Sequence, residues 1–215
     1  MKTSKLFAVA ALFLGLAFSP LFASAQPQLG KEYTLVSPPQ PTETGKKIEV
    51  LELFWYGCPH CFELEPIIVP WAKKLPKDVV FRRMPAIFRD SWVPGAKAFY
   101  AMETLGVLDR LNDKLFDAIH LRGLDIADEG ALLDWIAKQG IDRNKFAAIY
   151  NSFGVQSKVM HARQMTREYG ISGVPSVIVD GRYLTSSSMT GGHRGLPPVL
   201  DYLIDLARKE RAGKP

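Results

Sequence analysis

The 215-residue sequence lacks the compositional extremes that mark non-globular proteins. It has no internal repeat and no low-complexity tract, it is 47% hydrophobic and 23% charged, and its formal net charge at pH 7 is only +5. Collagen, coiled coil and intrinsic disorder are therefore excluded. Its lysines and arginines, including the Arg82–Arg83 pair, are scattered and lack interleaved aromatic residues for base stacking. We interpret them as solvated surface and expect no nucleic-acid binding.

The sequence also lacks a hydrophobic run long enough to cross a membrane. The longest run, Leu6–Phe18, has 13 residues, whereas a membrane-spanning helix needs about 20. Lys2 and Lys5 precede this run, and the small residues at 23–25 follow it. This is the pattern of a secretory signal peptide with its cleavage site. We therefore predict a signal peptide at 1–25 and an exported, soluble mature protein.

Cysteine is scarce, with only Cys58 and Cys61 in the order Cys-Pro-His-Cys. A structural disulfide is disfavoured, because closing so short a loop contributes about 1.9 kcal/mol, against about 4.7 kcal/mol for a loop of 100 residues. Zinc is disfavoured as well, because it needs four ligands and Cys58, Cys61 and His60 leave the set incomplete. In an exported protein the pair is best interpreted as a redox-active dithiol. A structural disulfide and a Cys/His metal carrier stay open as alternatives.

The residues around the pair predict its position in the fold. Ile48–Tyr56 is a nearly continuous β-branched and aromatic run, typical of a central strand covered on both faces. Pro59 suits the first position of a helix. The free N–H groups and the dipole of that helix would stabilise a Cys58 thiolate, and His60 could add a hydrogen bond or a positive charge. Cys61, one turn into the helix, is expected to be shielded and to act as the resolving thiol.

Two acidic residues interrupt this apolar strand. Glu49 and Glu52 are three positions apart, so they point to opposite faces, and at least one carboxyl is expected to be covered. A buried carboxylate is costly unless it has a partner or a role. Glu52, six residues before Cys58, is therefore expected beneath the dithiol; the alternative is a partly exposed side chain.

The rest of the chain predicts further strands around a long helical block. Asp109, Asp128 and Asp142 are the predicted N-caps within the block, and Asp180–Gly181 is a predicted hairpin turn. The predicted elements are strands at Tyr33–Val36, Val79–Met84, Ser176–Val179 and Arg182–Leu184, a helical block at 92–169 and a final helix at 196–211.

This order of elements around Cys-Pro-His-Cys resembles the thioredoxin-like superfamily. With the helical block and with Glu52-Leu53-Phe54 before the motif, it resembles the DsbA family of bacterial periplasmic thiol:disulfide oxidases. The resemblance implies an α/β fold, in which a thioredoxin-like domain (26–88 and 166–215) carries an inserted α-helical domain (89–165). It also implies a monomer without bound cofactor or metal that oxidises newly exported proteins with free cysteines. A DsbB-type, quinone-linked membrane oxidase would reoxidise it in the periplasm; a reductase or isomerase of the same fold is the alternative.

The resemblance further implies roles for individual residues. Cys58 would be the nucleophile, His60 would stabilise its thiolate, and Glu52 would help proton transfer at Cys61. Glu65 matches a second acid of the family. Val174–Pro175 matches the loop whose cis-proline faces the dithiol and receives the substrate main chain. The implied site residues are Glu52, Cys58, Pro59, His60, Cys61, Glu65, Val174 and Pro175.

Overall fold

The structure is a computed structural model that describes residues 26–213. The signal peptide predicted at 1–25 lies outside the described residues and stays a prediction. Within the described part of the chain, no helix is both long and apolar enough to cross a membrane.

Five strands and seven α-helices form between residues 26 and 213. Their order is β1 (Thr34–Leu35), β2 (Ile48–Phe54), α1 (Pro59–Ala72), β3 (Val79–Pro85), α2 (Val93–Thr104), α3 (Leu108–Arg122), α4 (Glu129–Lys138), α5 (Arg143–Tyr150), α6 (Phe153–Glu168), β4 (Ser176–Val179), β5 (Tyr183–Ser186) and α7 (Leu196–Ala212). Short 3-10 turns at Asp90–Trp92 and His193–Gly195 precede α2 and α7. The predicted strands are present, with ends that differ by at most two residues, and the predicted helical block consists of α2–α6.

The strands form one mixed sheet in the order β1-β5-β4-β2-β3. β2 pairs in parallel with β3 and antiparallel with β4, and all seven of its residues are buried. The prediction of a strand covered on both faces is confirmed. The parallel pairing requires a crossover from the end of β2 back to the start of β3, and α1 supplies it.

Separate hydrophobic cores cover the two faces of the sheet. On one face, Val50 of β2 packs with α1 and α7 through Leu64 and Leu203. On the other face, Leu51 and Leu53 pack with the helical block. The sheet therefore lies between two helical layers, and the predicted α/β class with helices inserted between β3 and β4 is confirmed.

The predicted division of the chain into 26–88 plus 166–215 and 89–165 stays a prediction. Its first boundary falls just before the 3-10 turn at Asp90–Trp92. Its second boundary falls inside α6, which continues to Glu168. A boundary after α6 would leave that helix whole.

Two of the three predicted helix caps and the predicted hairpin turn are present. Asp128 and Asp142 cap α4 and α5 as predicted. The prediction for Asp109 is wrong, because α3 begins at Leu108 and Asp109 lies in its first turn, where its charge favours the helix dipole. Asp180–Gly181 forms the predicted hairpin turn, with positive φ at both residues (56° and 66°).

Candidate active site

Cys58 lies at the junction between β2 and α1. It is the N-cap residue of α1, with an extended backbone (φ −88°, ψ 115°), and its side chain makes no capping hydrogen bond. Pro59 takes the first helical position, as predicted, where a missing N–H leaves no bond unmade. In the first turn the Cys61 N–H donates to the Cys58 carbonyl oxygen at 3.1 Å, and the His60 N–H is available to the Cys58 sulfur.

These surroundings favour the thiolate of Cys58. Only 8% of the residue is exposed, and burial alone would raise the pKa of its thiol. The hydrogen bond from the Cys61 thiol has the largest effect, followed by the backbone N–H groups of Cys61 and His60 and by the charge of His60. Together they lower the pKa of Cys58 to about 6. Cys58 therefore has the acidity expected of an attacking cysteine.

Cys61 has the opposite character. Both cysteines are thiols in this structure, and Cys61 is fully buried. Burial raises the pKa of its thiol far above the usual range, and the neighbouring Cys58 raises it further. The prediction that Cys61 is shielded is confirmed, and an incoming sulfur atom can reach only Cys58 of the two.

The loop before β4 contacts the first cysteine. The Val174–Pro175 peptide bond is cis, as the resemblance implies. The Cys58 Sγ lies 3.5 Å from the carbonyl oxygen of Val174. A groove of about 460 Å³ beside this contact is lined in part by Val174, Pro175, His60 and His193. The groove can hold an extended segment of another chain next to Cys58.

Glu52 and Glu65 meet at one arginine behind the dithiol. Arg83, opposite Glu52 in the parallel pairing of β2 with β3, donates from Nε to Glu52 Oε2 at 3.0 Å. Its Nη2 donates to both carboxylate oxygens of Glu65 at 3.1 Å. Glu52 is fully buried and Glu65 is 7% exposed, so the prediction of a covered Glu52 is confirmed.

This cluster holds two acids against one base. Burial raises the pKa of Glu52 despite the opposing charge of Arg83. Burial, and then the charge of Glu52, raise the pKa of Glu65 to about 8. The Oε1 atom of Glu52 is buried and has no hydrogen-bond partner. The pair therefore retains a proton near neutral pH, close to a cysteine whose thiol is itself influenced by the Glu52 charge.

Glu49 is buried as well, on the opposite face of β2. It is 2% exposed, and Arg82 Nη1 donates to its Oε2 at 2.8 Å. The interpretation of Arg82–Arg83 as solvated surface is therefore wrong. Both arginines are partly buried, because each neutralises a carboxylate that β2 carries into the interior.

The His60 ring lies at the surface beside Glu63. Its side chain is 72% exposed, and its Nδ1 lies 3.2 Å from Oε2 of Glu63. His193 approaches the same Glu63 oxygen with its Nε2, at 3.4 Å. His60 therefore acts on Cys58 through its backbone N–H and its charge, not through a hydrogen bond from its ring to the sulfur.

Trp55, three positions before Cys58, belongs to an aromatic stack. The rings of Trp55 and Trp92 lie parallel, with centroids 4.4 Å apart. The Trp55 ring also covers Gly57, where an added Cβ would lie 2.3 Å from a Trp55 ring carbon. The residue before Cys58 therefore has to be glycine for this stack to form.

Several neighbours of the dithiol were not found from the sequence. Arg83 could have been predicted as a partner of the buried acids, because a buried carboxylate in a central strand needs a cation, which an adjacent strand can supply. No sequence pattern indicates the contact between Glu63 and His193, because these residues are 130 positions apart and come together only in the folded chain. The stacking of Trp92, at the start of the helical block, on Trp55 likewise forms only in the folded chain.

The chain is similar in sequence and in structure to known thiol:disulfide interchange proteins. The family model described as DSBA-like thioredoxin domain matches residues 68–196. A Burkholderia cepacia protein named Thiol:disulfide interchange protein DsbA is 41% identical over 202 residues, covering 93% of this chain and 95% of that protein. A Pseudomonas aeruginosa protein of the same name is 41% identical over 183 residues, 85% of each chain. The crystal structure of Pseudomonas aeruginosa DsbA matches with a TM-score of 0.83 and 39% identity, covering 86% of this chain and 97% of that one.

Proposed function

Since this chain belongs to the DsbA family of thiol:disulfide interchange proteins, with their thioredoxin-like fold, we propose that it donates a Cys58–Cys61 disulfide to exported proteins. The direction of exchange, from this protein's disulfide to the substrate, follows from the difference between the two cysteines. The Cys58 sulfur is reachable and stabilised as a thiolate, whereas Cys61 is enclosed and stays a thiol. Stabilising the thiolate stabilises the reduced protein. A protein whose reduced form is stabilised gives up its disulfide readily.

The first step is attack on Cys58. A substrate thiolate bonds to the Cys58 sulfur, the Cys58–Cys61 bond breaks, and its electron pair leaves on Cys61 as a thiolate that takes up a proton. A mixed disulfide then joins substrate and Cys58. Attack at Cys58 and not at Cys61 follows from the difference in exposure between the two sulfurs.

The second step releases the substrate. A second substrate thiolate attacks the substrate sulfur of the mixed disulfide, and Cys58 leaves as a thiolate. The substrate has then lost two electrons and two protons in forming its own disulfide, and the protein has gained the two electrons. The low pKa of Cys58 makes it a good leaving group in this step.

The proton for Cys61 comes, in this proposal, from the Glu52–Arg83–Glu65 cluster. A cysteine with so high a pKa must be protonated as it leaves, and it is buried where bulk water does not reach it. Glu52 carries an unpartnered, buried Oε1. Glu65 and Arg83 adjust how readily that carboxyl gives up its proton.

The other predicted site residues surround the Cys58 sulfur or bind the substrate beside it. Pro59 leaves the helix start open to the sulfur, and His60 adds an N–H group and a charge. The Val174–Pro175 loop lies within 3.5 Å of Cys58 and offers main-chain groups to an extended substrate. We propose that it binds the substrate segment next to the reacting cysteine.

Exported proteins with free cysteines are the substrates that fit this chemistry. We propose that the predicted signal peptide directs the protein to the periplasm and that a DsbB-type membrane oxidase accepts its two electrons. We also propose that the protein acts as a monomer. It needs no bound cofactor, because the dithiol carries both electrons itself.

A single-turnover experiment tests the function. The oxidised mature protein is mixed with a reduced peptide containing two cysteines, and both products are analysed by mass spectrometry. We expect the peptide to lose 2 Da as the protein gains 2 Da, at a rate well above that of a glutathione disulfide control. A peptide that stays reduced while the protein keeps its disulfide would exclude a disulfide donor.

A further inference from the structure

Three side chains that can bind a metal ion converge beside the groove. His60 Nδ1 and His193 Nε2 lie 3.2 Å and 3.4 Å from the same oxygen, Oε2 of Glu63. Between residues 26 and 213 this is the one group of three His, Cys, Asp or Glu residues whose ligand atoms all lie within 4.8 Å of one another. The proposed disulfide exchange has no use for Glu63 or His193.

The spacing of these atoms suits a tetrahedral ion. With metal–ligand bonds of about 2.0–2.1 Å, neighbouring ligand atoms around tetrahedral zinc are roughly 3.3–3.4 Å apart. The distances of 3.2 Å and 3.4 Å to Glu63 Oε2 are close to this value, and the two histidine nitrogens lie within 4.8 Å of each other. Two imidazoles and one carboxylate also form a known donor set for zinc, in which water fills the fourth position.

The ligands are held in place by the fold. His60 and Glu63 are three positions apart on α1 and therefore share one helix face. His193 uses its second ring nitrogen, Nδ1, in a 2.8 Å hydrogen bond with the Oγ of Ser187, which is 7% exposed. Such an outer hydrogen bond orients a metal-binding histidine and leaves its other nitrogen for the ion.

We propose that His60, Glu63 and His193 form a zinc site at the edge of the substrate groove. It is separate from the Cys58–Cys61 pair and uses no sulfur ligand. No metal was predicted from the sequence, where only the ligands next to the cysteines are evident, because His193 comes from the loop after the β4–β5 hairpin. Since His60 belongs to both the motif and the site, a bound ion would occupy the groove side of the dithiol.

Zinc binding by the oxidised protein tests this proposal. In the disulfide form neither Cys58 nor Cys61 can bind the ion, so equilibrium dialysis against Zn²⁺ at pH 7.5 reports on this site alone. We expect one Zn²⁺ per chain. Glu63→Gln and His193→Ala should each lower the affinity at least tenfold, and Ser187→Ala should lower it about tenfold through loss of the orienting hydrogen bond.

His161→Ala is the matched control. His161 is also an exposed histidine beside a glutamate, 3.5 Å from Glu43, but no third ligand lies there. Its loss should leave zinc binding unchanged. The chain has four histidines, so NMR of the imidazole rings gives a second measurement, in which Zn²⁺ should shift His60 and His193 and leave His120 and His161 in place.

Three results would overturn the proposal. They are no stoichiometric zinc on the oxidised protein, equal loss in His161→Ala and His193→Ala, or ring shifts confined to other histidines. The first would mean that Glu63 serves only as a hydrogen-bond partner of the two histidines. None of these results bears on disulfide donation, which is measured without metal.

Discussion

The Cys58 sulfur lies 3.5 Å from the carbonyl oxygen of Val174, a residue 116 positions later in the chain. This contact joins the start of α1 to the loop before β4, which are brought together because β2 and β4 are neighbours in the sheet. The reacting sulfur is thereby placed beside main-chain groups that a substrate can bind.

Replacing Cys58 and replacing Cys61 should cause different defects in disulfide exchange. Cys58→Ser removes the cysteine sulfur that a substrate can reach, because Cys61 is fully buried, so peptide oxidation should be lost. Cys61→Ser keeps the Cys58 thiolate, which can still attack a disulfide of a substrate protein, and lacks the Cys61 thiol that would resolve the resulting mixed disulfide. Such mixed disulfides should therefore accumulate on non-reducing gels. Mixed disulfides trapped by Cys58→Ser instead would reverse the two assignments.

The reduction potential should depend on pH in two regimes. The pKa of Cys58 is lowered to about 6, so above that pH the reduced protein holds one thiolate, and reduction takes up one proton, at Cys61. Below about pH 6 the Cys58 thiolate is protonated too, and reduction takes up two.

For a two-electron couple, one proton corresponds to about −30 mV per pH unit and two to about −59 mV. Titration against a redox buffer from pH 5 to 8.5 should show this change of slope near pH 6. A slope of about −59 mV up to pH 8 would show that Cys58 is an ordinary thiol.

Glu52→Gln tests the proton donor. Cys61 would have to leave without its buried acid, so the first step should slow by about 100-fold. In the wild type, the rate per substrate thiolate should fall as the pH rises past about 8, because the Glu52–Glu65 pair loses its proton. The variant should lack this fall.

Glu49→Gln provides the matched control. It removes a buried acid from the other face of the same strand, along with its bond to Arg82. Its free energy of unfolding should fall, while its pH profile should keep the wild-type shape. Identical profiles for the two variants would exclude a specific role for Glu52.

Gly57→Ala should disturb the aromatic stack next to Cys58. The new Cβ would lie 2.3 Å from a ring carbon of Trp55, so that ring has to leave Trp92. We expect slower peptide oxidation and a free energy of unfolding lower by at least about 0.5–1.5 kcal/mol, the contribution of one aromatic pair. Near-ultraviolet circular dichroism and denaturant unfolding measure both effects.

Gly154→Ala is the control for that substitution, because its new Cβ meets only Ser152 Oγ, at 3.9 Å, on a helix. It should unfold and react like the wild type. If Gly57→Ala does the same, Trp55 does not support the site.

The parts of this site that the sequence predicts are those set by local chemistry. Cys58, Pro59 and Cys61 follow one another at a helix start, so their positions depend on residues within a single turn. The burial of Glu52 follows from the apolar strand around it. Strand and helix positions were predictable for the same reason, since hydrophobic periodicity is local.

What the sequence does not predict depends on distant parts of the chain. Arg83 reaches Glu52 and Glu65 because β3 lies in register beside β2. His193 meets Glu63 because the β4–β5 hairpin returns the chain to α1. The hydrogen bond of Asp142 at its own helix start, in contrast, spans only three residues and was predicted.

The reduction potential of the purified mature protein, equilibrated with a glutathione buffer at pH 7, decides whether the protein is a disulfide donor. A stabilised Cys58 thiolate predicts a potential well above the roughly −270 mV of thioredoxin, as a disulfide donor requires. A potential at or below that value would exclude a disulfide donor, because the Cys58–Cys61 pair would then keep other thiols reduced.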